Sequence, residues 1–430
     1  MLLLLLGAFL FLMLLGVPIA FALGLSAAAY VAFSQGNQFP LPWEIIPQTM
    51  VSGVDGFELL VVPFFILVGD LMTRAVLTHR IVAFATALVG HIRGGLAQVS
   101  VLVNLMMSGI SGSAIADASA VGTVMLPEME KKGYPPSFSA AIVAAGSTIG
   151  PVFPPSAPMA IIGALLGVSV GRLFIGGIVP GLMIAGALML FIYLVARRRK
   201  YPRAAAFQLT VLRAAGPAAL PALGLPALLI FAIAGGWATI TEASVIGVWY
   251  ALAIGFAGRT LNWRDVGGSL LEVGLLTATI LFVISTSNSL GVLAGLEQFG
   301  ATLLRLLTSI SSDPTIILLL INVLLLILGI ALEPLPLTLV MLPLLYPVIV
   351  QVGIDPVHFG VVMTLNLMLA MLTPPVAMLC FITATIAKTP AMGVFREIVP
   401  FFWVLCGVLL AITVAPGLVL WLPNLLMGSP

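Results

Sequence analysis

Val124-Met125-Leu126-Pro127 recurs as Val340-Met341-Leu342-Pro343, an offset of 216 residues. Gly133-Tyr134-Pro135-Pro136 recurs as Gly353-Ile354-Asp355-Pro356, now at 220. Pro154-Pro155 returns as Pro374-Pro375, and Ile178-Val179-Pro180 as Ile398-Val399-Pro400, both again at 220. Asp117 and Glu333 correspond at 216, so one four-residue insertion accounts for the change of offset. The matches are short, but their shared order and spacing mark an internal duplication. Apolar segments interrupted by proline and glycine, one set in each half, are the pattern of a secondary transporter with its site between the halves.

Composition sets the class. Of 430 residues 61% are hydrophobic and 7% charged, and the mean hydropathy is +1.24. Apolar stretches long enough to cross a ~30 Å hydrocarbon core recur from end to end. Residues 1–33 lack a basic leader region and carry too long an apolar run for a signal peptide, so a first spanning helix is expected there. Cys380 and Cys406 fall in expected helices and do not suggest a disulfide framework. A net charge of +2 gives no reason to expect nucleic acid.

The basic residues orient the chain. With Arg197-Arg198-Arg199-Lys200 in the cytoplasm, the helix near 172–196 runs inward and a broken span over 137–166 runs outward. Segment 96–130 then begins and ends on the cytoplasmic side as a re-entrant hairpin. Span 2–34 rises from a cytoplasmic N-terminus, span 57–73 descends, and 79–92 lies at the interface. In the second half, spans near 214–234, 237–258 and 266–290 alternate, with an external interfacial stretch at 297–311. Segment 314–352 is a hairpin entering from outside, 357–387 a broken span, and 398–424 a last span ending outside. This arrangement leaves only Arg172 and Arg305 of the 17 lysines and arginines on the external face. The two hairpins enter from opposite faces, so the repeat is inverted. The expected fold is an all-α polytopic membrane protein whose inverted repeats each hold a re-entrant hairpin and a broken helix.

The first hairpin turns at Ser108-Gly109-Ile110-Ser111-Gly112-Ser113-Ala114-Ile115-Ala116-Asp117. Such a stretch breaks a helix, and irregular backbone survives at membrane depth only when buried in protein or lining a wet cavity. Its partner break is Gly146-Ser147-Thr148-Ile149-Gly150-Pro151, continuing to Pro154-Pro155-Ser156, where the prolines free backbone carbonyls. Facing one another, the two would offer neutral oxygens to a hard cation such as Na⁺. The alternative is that these small residues only let helices approach closely. The second copy turns at Leu328-Gly329-Ile330-Ala331-Leu332-Glu333 and supplies Thr338, Asn366 and Thr373, followed by Pro374-Pro375. Asp117 and Glu333 are the carboxylates most clearly at membrane depth, a functional position by default. Each stands near the start of a half-helix, so a capping role is the alternative. Helix N-termini at both tips suit a substrate carboxylate. Expected Na⁺-site regions therefore comprise Ser111, Gly112, Ser113, Asp117, Ser147, Gly150, Gly329, Glu333, Thr338, Asn366 and Thr373. Ser113, Ala114, Pro154, Pro155 and Pro374 are the substrate candidates.

These residues resemble a known family, the large membrane subunit of tripartite ATP-independent periplasmic (TRAP) transporters, within the ion-transporter superfamily. The resemblance runs over essentially the whole chain. It rests on Val62-Pro63-Phe64-Phe65-Ile66-Leu67-Val68-Gly69, Gly109-Ile110-Ser111-Gly112-Ser113-Ala114, Ser147-Thr148-Ile149-Gly150-Pro151, Gly353-Ile354-Asp355-Pro356-Val357-His358-Phe359-Gly360 and Leu372-Thr373-Pro374-Pro375. Glu333 departs from the Asp common in the family. The resemblance implies an elevator-type Na⁺ symporter in the bacterial inner membrane, importing a small organic anion such as a carboxylate. It implies two partners, a small four-helix membrane subunit and a periplasmic substrate-binding protein. Scaffold and first arm would occupy 1–92 and the first transport repeat 93–170. Scaffold helices and the second arm would fill 171–311, the second transport repeat 312–390, and a C-terminal scaffold helix 391–430. Na⁺ is the coupling ion, and no organic cofactor is expected.

Other classes fare worse. No Gly-x-x-x-x-Gly-Lys motif supports ATP-driven pumping, and no His-Glu-x-x-His motif supports zinc hydrolysis. Asp70, Asp117 and Glu272 offer carboxylates to an intramembrane enzyme, but no Gly-x-Gly-Asp motif accompanies them. A stand-alone Na⁺/anion symporter and a passive channel remain as rivals.

Overall fold

The computed structural model describes residues 2–36, 40–75, 78–199, 201, 207–330 and 332–428. Lys200, Arg203 and Ala331, which enter the charge count and the second hairpin tip, lie outside the described residues. Among the described residues there are α-helices, one short 3₁₀ turn and no strand. Six helices among the described residues are long and apolar enough to cross a bilayer, so the chain is a multi-pass membrane protein.

The N-terminal part contains α1 (Leu2–Leu14), α2 (Ile19–Ser34), α3 (Ile45–Ser52), α4 (Val61–Ala75) and α5 (Thr78–Val89). The first unit with two broken elements is α6 (Gly95–Ser111), α7 (Ala114–Lys131), α8 (Pro136–Ser147) and α9 (Ala157–Leu166), followed by α10 (Val170–Arg199). Helices α11 (Leu209–Ala234), α12 (Ile240–Ala257), α13 (Trp263–Leu296) and α14 (Phe299–Thr308) come next. The second unit is α15 (Pro314–Gly329), α16 (Pro334–Val352), α17 (Pro356–Ala370) and α18 (Met378–Ile386), then α19 (Ala391–Val414) and α20 (Gly417–Met427).

Local chemistry places most boundaries. Gly133 (φ 80°) and Gly353 (φ 83°) end α7 and α16 in the left-handed conformation that glycine adopts freely. Pro136 and Pro356 then stand at helix starts, where a missing N–H is harmless. Capping boxes Thr239/Glu242 and Asn262/Asp265 open α12 and α13.

Two expected spans are corrected. The stretch 2–34 is two helices packed on one another, because Gly16 (φ 79°) closes α1 and Pro18 cannot continue it. The 13 residues of α1 reach only about 20 Å, short of a bilayer. Likewise 398–424 is divided between α19 and α20 at Ala415-Pro416. Pro416 has no N–H for the Ile412 carbonyl, and the His358 ring donates to that oxygen from α17 at 2.8 Å. The short helix α3 was not anticipated.

The repeat register is also corrected. Ser113 and Glu333 are the N-caps of α7 and α16, and the helices after them begin at Pro136 and Pro356. These pairs, like Gly133/Gly353 and the cis Pro154-Pro155 and Pro374-Pro375, all stand 220 apart. No four-residue insertion is needed. Glu333 occupies the place of Ser113, Asp117 matches Leu337, and Pro127 matches Pro347. The 216 match is a slip of four residues, about one turn, which leaves a helix face nearly in register.

The two units interlock. Helix α9 packs on α16 and α17, while α18 packs on α7 and α8. Helix α10 packs on α6, α17 and α19, and α19 on α8. Arg199 reaches Glu397 at 3.2 Å between α10 and α19. A separate group forms around α13, with α2, α3 and α4 against it and α12 against α4. Thr49 and Ser289 bond at 2.8 Å, and Asn288 donates to the Thr49 carbonyl at 2.7 Å, pinning α3 to α13. The groups meet where α13 and α14 cross α16, with Gly291 against Pro343 and Gly300 against Pro347, and where α4 lies on α6 and α9.

At that crossing Pro343 leaves the Leu339 carbonyl without its helical donor. The Ser287 hydroxyl of α13 donates to it instead. Ser287→Ala is expected to lower stability by about 1–2 kcal/mol, since a buried acceptor goes unpaired. With Pro343→Ala present, a new N–H serves the same carbonyl and the loss from Ser287→Ala is expected to fall by half or more. A double-mutant cycle in thermal unfolding measures this, and equal losses in both backgrounds would contradict the assignment.

Candidate functional site

The first hairpin turns because Gly112 takes φ 59° after α6 and Ser113 returns to an extended conformation as the cap of α7. The Ser113 hydroxyl accepts from the Ala116 N–H at 3.4 Å. A Cβ on Gly112 would lie 2.7 Å from the Pro155 carbonyl, so the tip seats directly on the α8–α9 break. The Ser156 hydroxyl closes that break by donating to the Pro151 carbonyl at 2.5 Å and accepting from Met159 N–H.

Asp117 lies beneath this tip and is fully buried. Its Oδ1 accepts from the Ser111 hydroxyl at 2.5 Å, and the same Ser111 oxygen accepts from the Ser113 N–H at 3.2 Å. Its Oδ2 has no hydrogen-bond partner among the described residues. A Cβ on Gly150 would meet that Oδ2 at 2.5 Å and the Ser147 carbonyl at 3.3 Å. Ser111, Gly112, Ser113, Asp117, Ser147 and Gly150 therefore converge, joining hairpin and break around one carboxylate. The Ser147 hydroxyl is turned to the Ala144 carbonyl at 2.9 Å, so it is the Ser147 backbone oxygen that faces Gly150.

The second tip is built differently. Glu333 caps α16 by position only, since its side chain makes no capping hydrogen bond. It is exposed, in contrast to Asp117. Gly329 lies against Ala370 at the end of α17, where a Cβ would clash with the Ala370 methyl. Thr338 donates to the Pro334 carbonyl at 2.8 Å and Thr373 to the Leu369 carbonyl at 3.0 Å. Asn366 points elsewhere, donating to Asn322 of α15, which in turn donates to Thr413 of α19 at 2.9 Å.

A cavity of about 470 Å³ lies between the two tips and the two breaks. Ser111, Gly112, Ser113, Ala114, Gly329, Glu333 and Thr338 line it. Asp117, Ser147, Gly150, Asn366 and Thr373 do not. Pro154 and Pro155 face Phe174, Ile175 and Leu229 on α10 and α11, and Pro374 is exposed outside the cavity.

Its remaining wall was not foreseen. Ile66, Gly69, Asp70 and Thr73 of α4 and Leu276 and Ile280 of α13 complete the cavity. Gly69 allows the approach, since a Cβ there would meet the Ser111 carbonyl at 2.8 Å. Arg74 bonds Asp70 at 2.8 Å and Glu272 at 2.6 Å, joining α4 to α13 beside the cavity. The sequence signal was the Gly69-Asp70 pair ending an apolar run, with Arg74 one turn later. Among the described residues no cluster of three His, Cys, Asp or Glu side chains exists to hold a transition metal. The oxygen set around Asp117 instead suits a hard cation.

Gly150→Ala is expected to destabilise the protein by about 1–3 kcal/mol, because Asp117 and the tip must shift. Gly186→Ala, where nothing lies within 4 Å, is expected to be neutral or slightly stabilising. Thermal melts of the two variants check this, and equal behaviour would argue against close packing of Asp117 on the break.

A model of the family described as "Tripartite ATP-independent periplasmic transporter, DctM component" matches residues 6–418. The sialic acid TRAP transporter large permease protein SiaM of Vibrio cholerae is 37% identical over 418 residues, 96% of each chain. The C4-dicarboxylate TRAP transporter large permease protein DctM of Pseudomonas aeruginosa is 35% identical over 369 residues, 86% of each. Among solved structures, the Alcanivorax borkumensis YdaH transporter superposes with a TM-score of 0.64 at 14% identity, covering 93% of this chain and 96% of that one. That likeness concerns the fold.

Proposed function

This chain belongs to the DctM-component family of tripartite ATP-independent periplasmic transporters, and from that membership we propose that it is a Na⁺-coupled importer of a small organic anion. In this reading a periplasmic binding protein delivers the anion, and a small four-helix membrane subunit completes the transporter in the bacterial inner membrane. The observation that carries the proposal is the cavity shared by both hairpin tips and both breaks, with the buried Asp117 carboxylate under the first tip.

Na⁺ would be held around Asp117 Oδ2, the Ser147 carbonyl and the tip hydroxyls. A buried carboxylate oxygen with no partner is costly, and a cation there would offset that cost. Na⁺ at this point would also fix the Ser111–Ser113 turn that lines the cavity. Ion and anion would then favour one another's binding, and equally so in both directions. The second tip offers no comparable buried carboxylate, since Glu333 is exposed and lines the cavity.

An elevator motion is proposed on the same grounds. The moving body would be the interlocked set α6–α10 and α15–α20, which takes α10, α19 and α20 out of the scaffold expected from the resemblance, and the fixed body the group around α13. The packing supports drawing the boundary there, since α10 and α19 lie against the broken helices. The 220-residue register and the reciprocal packing of α9 and α18 support an inverted repeat. The related reading, a stand-alone Na⁺/anion symporter, differs only in its need for partners.

Uptake into proteoliposomes containing this chain and its small partner tests the proposal. Accumulation is expected only with an inward Na⁺ gradient and an anion-loaded binding protein outside. Asp117→Asn and Ser113→Leu are each expected to lower the rate at least about tenfold while leaving the purified complex intact. Uptake with Na⁺ but without binding protein favours the stand-alone symporter, and uptake indifferent to both refutes the coupling.

A further inference from the structure

The cavity's own chemistry narrows the anion, resting on the transport reading above. Its walls are largely apolar, with Ile66, Ile115, Ile162, Leu276, Leu335 and Met368 contributed by different elements. No lysine or arginine lines it among the described residues.

Most of its polar side chains are already engaged. The Ser111 hydroxyl is donated to Asp117. Thr73, Thr338 and Thr364 donate to the carbonyls of Gly69, Pro334 and Gly360 at 2.7–2.8 Å. Asp70 is paired with Arg74, which also holds Glu272. What remains belongs to the first tip. The Ser113 hydroxyl proton and the first-turn N–H groups of Ala114 and Ile115 are uncommitted among the described residues. That tip satisfies one carboxylate. Among the described residues the one other ionic group that lines the cavity without a partner is Glu333, which repels a second negative charge.

We infer that this transporter's cavity selects a monocarboxylate with an aliphatic or aromatic body, rather than a dicarboxylate or a polyhydroxylated sugar acid. Each hydroxyl of a sugar acid would be desolvated against aliphatic side chains without a partner, weakening binding by about tenfold per group. A dicarboxylate would bring its second charge toward Glu333 with no free cation to receive it. An apolar body gains by leaving water, at about fourfold in affinity for each buried methylene.

The test uses the purified complex of this chain with its small membrane partner, in Na⁺-containing buffer. Dissociation constants are measured calorimetrically for propanoate, butanoate, pentanoate and hexanoate, and for succinate and N-acetylneuraminate. Affinity is expected to rise about fourfold per methylene until the cavity is filled. Succinate and N-acetylneuraminate are expected at least tenfold weaker than pentanoate. Ile115→Thr, an exposed position on the cavity wall, is expected to weaken pentanoate several-fold and propanoate less. A flat series, no binding at all, or succinate or N-acetylneuraminate matching pentanoate overturns the inference. So does an unchanged pentanoate affinity in Ile115→Thr, which would mean partition into detergent. Replacing Na⁺ by K⁺ separates the two proposals. A persisting chain-length series retains this selectivity and removes Na⁺ coupling, whereas Na⁺-dependent succinate binding retains the coupling and overturns the selectivity.

Discussion

Backbone polar groups inside a membrane have no water to turn to, and each must find a partner within the protein. Proline and glycine break the helices of this chain repeatedly, so the requirement falls on side chains of neighbouring elements. Ser287 serves the carbonyl freed by Pro343, and His358 serves the one freed by Pro416. Ser156 closes the Pro151 carbonyl inside the first break. These bonds do more than satisfy donors and acceptors. The first joins α13 to the second hairpin, and the second ties α17 to α19. A break in one helix thereby becomes a fixed contact with another, and irregular backbone can persist around a cavity.

The two tips share a backbone plan and differ in chemistry. At the first, Ser113 caps α7 with its hydroxyl, and Asp117 is buried one turn on against Gly150. At the second, Glu333 stands at the capping position without capping and is exposed, while Leu337 fills the place of Asp117. Burial at one tip and exposure at the other give the two carboxylates unlike surroundings. A carboxylate enclosed by protein oxygens calls for a cation, whereas one facing a cavity acts on whatever enters it. The Arg74 bridge keeps two further carboxylates, Asp70 and Glu272, occupied.

The first tip, both breaks and the helix starts around them were legible because their signals are local. Gly112, Gly133 and Gly353 mark left-handed positions, and Pro136 and Pro356 mark helix starts. The convergence of Ser111, Ser113, Asp117, Ser147 and Gly150 followed from two small-residue stretches lying in adjacent elements. Asn366 and Thr373 looked equally suitable in sequence, yet Asn366 is drawn to Asn322 and Thr373 bonds its own helix. Pro154 and Pro155 face α10 and α11 rather than the cavity. A polar residue near a break has several possible partners, and only packing chooses among them.

By itself the sequence determined the membrane class and nearly every helix, since hydropathy and Gly/Pro punctuation act within a few residues. Tertiary structure alone decided the register of the repeat, which pairs Glu333 with Ser113 rather than with Asp117. It also decided that α4 and α13 form the cavity's remaining wall. The reason is physical. In a chain this apolar a one-turn slip barely alters the hydrophobic face, so the pattern does not distinguish registers. Contacts such as Arg74 with Glu272, 198 positions apart, exist only once the helices have packed.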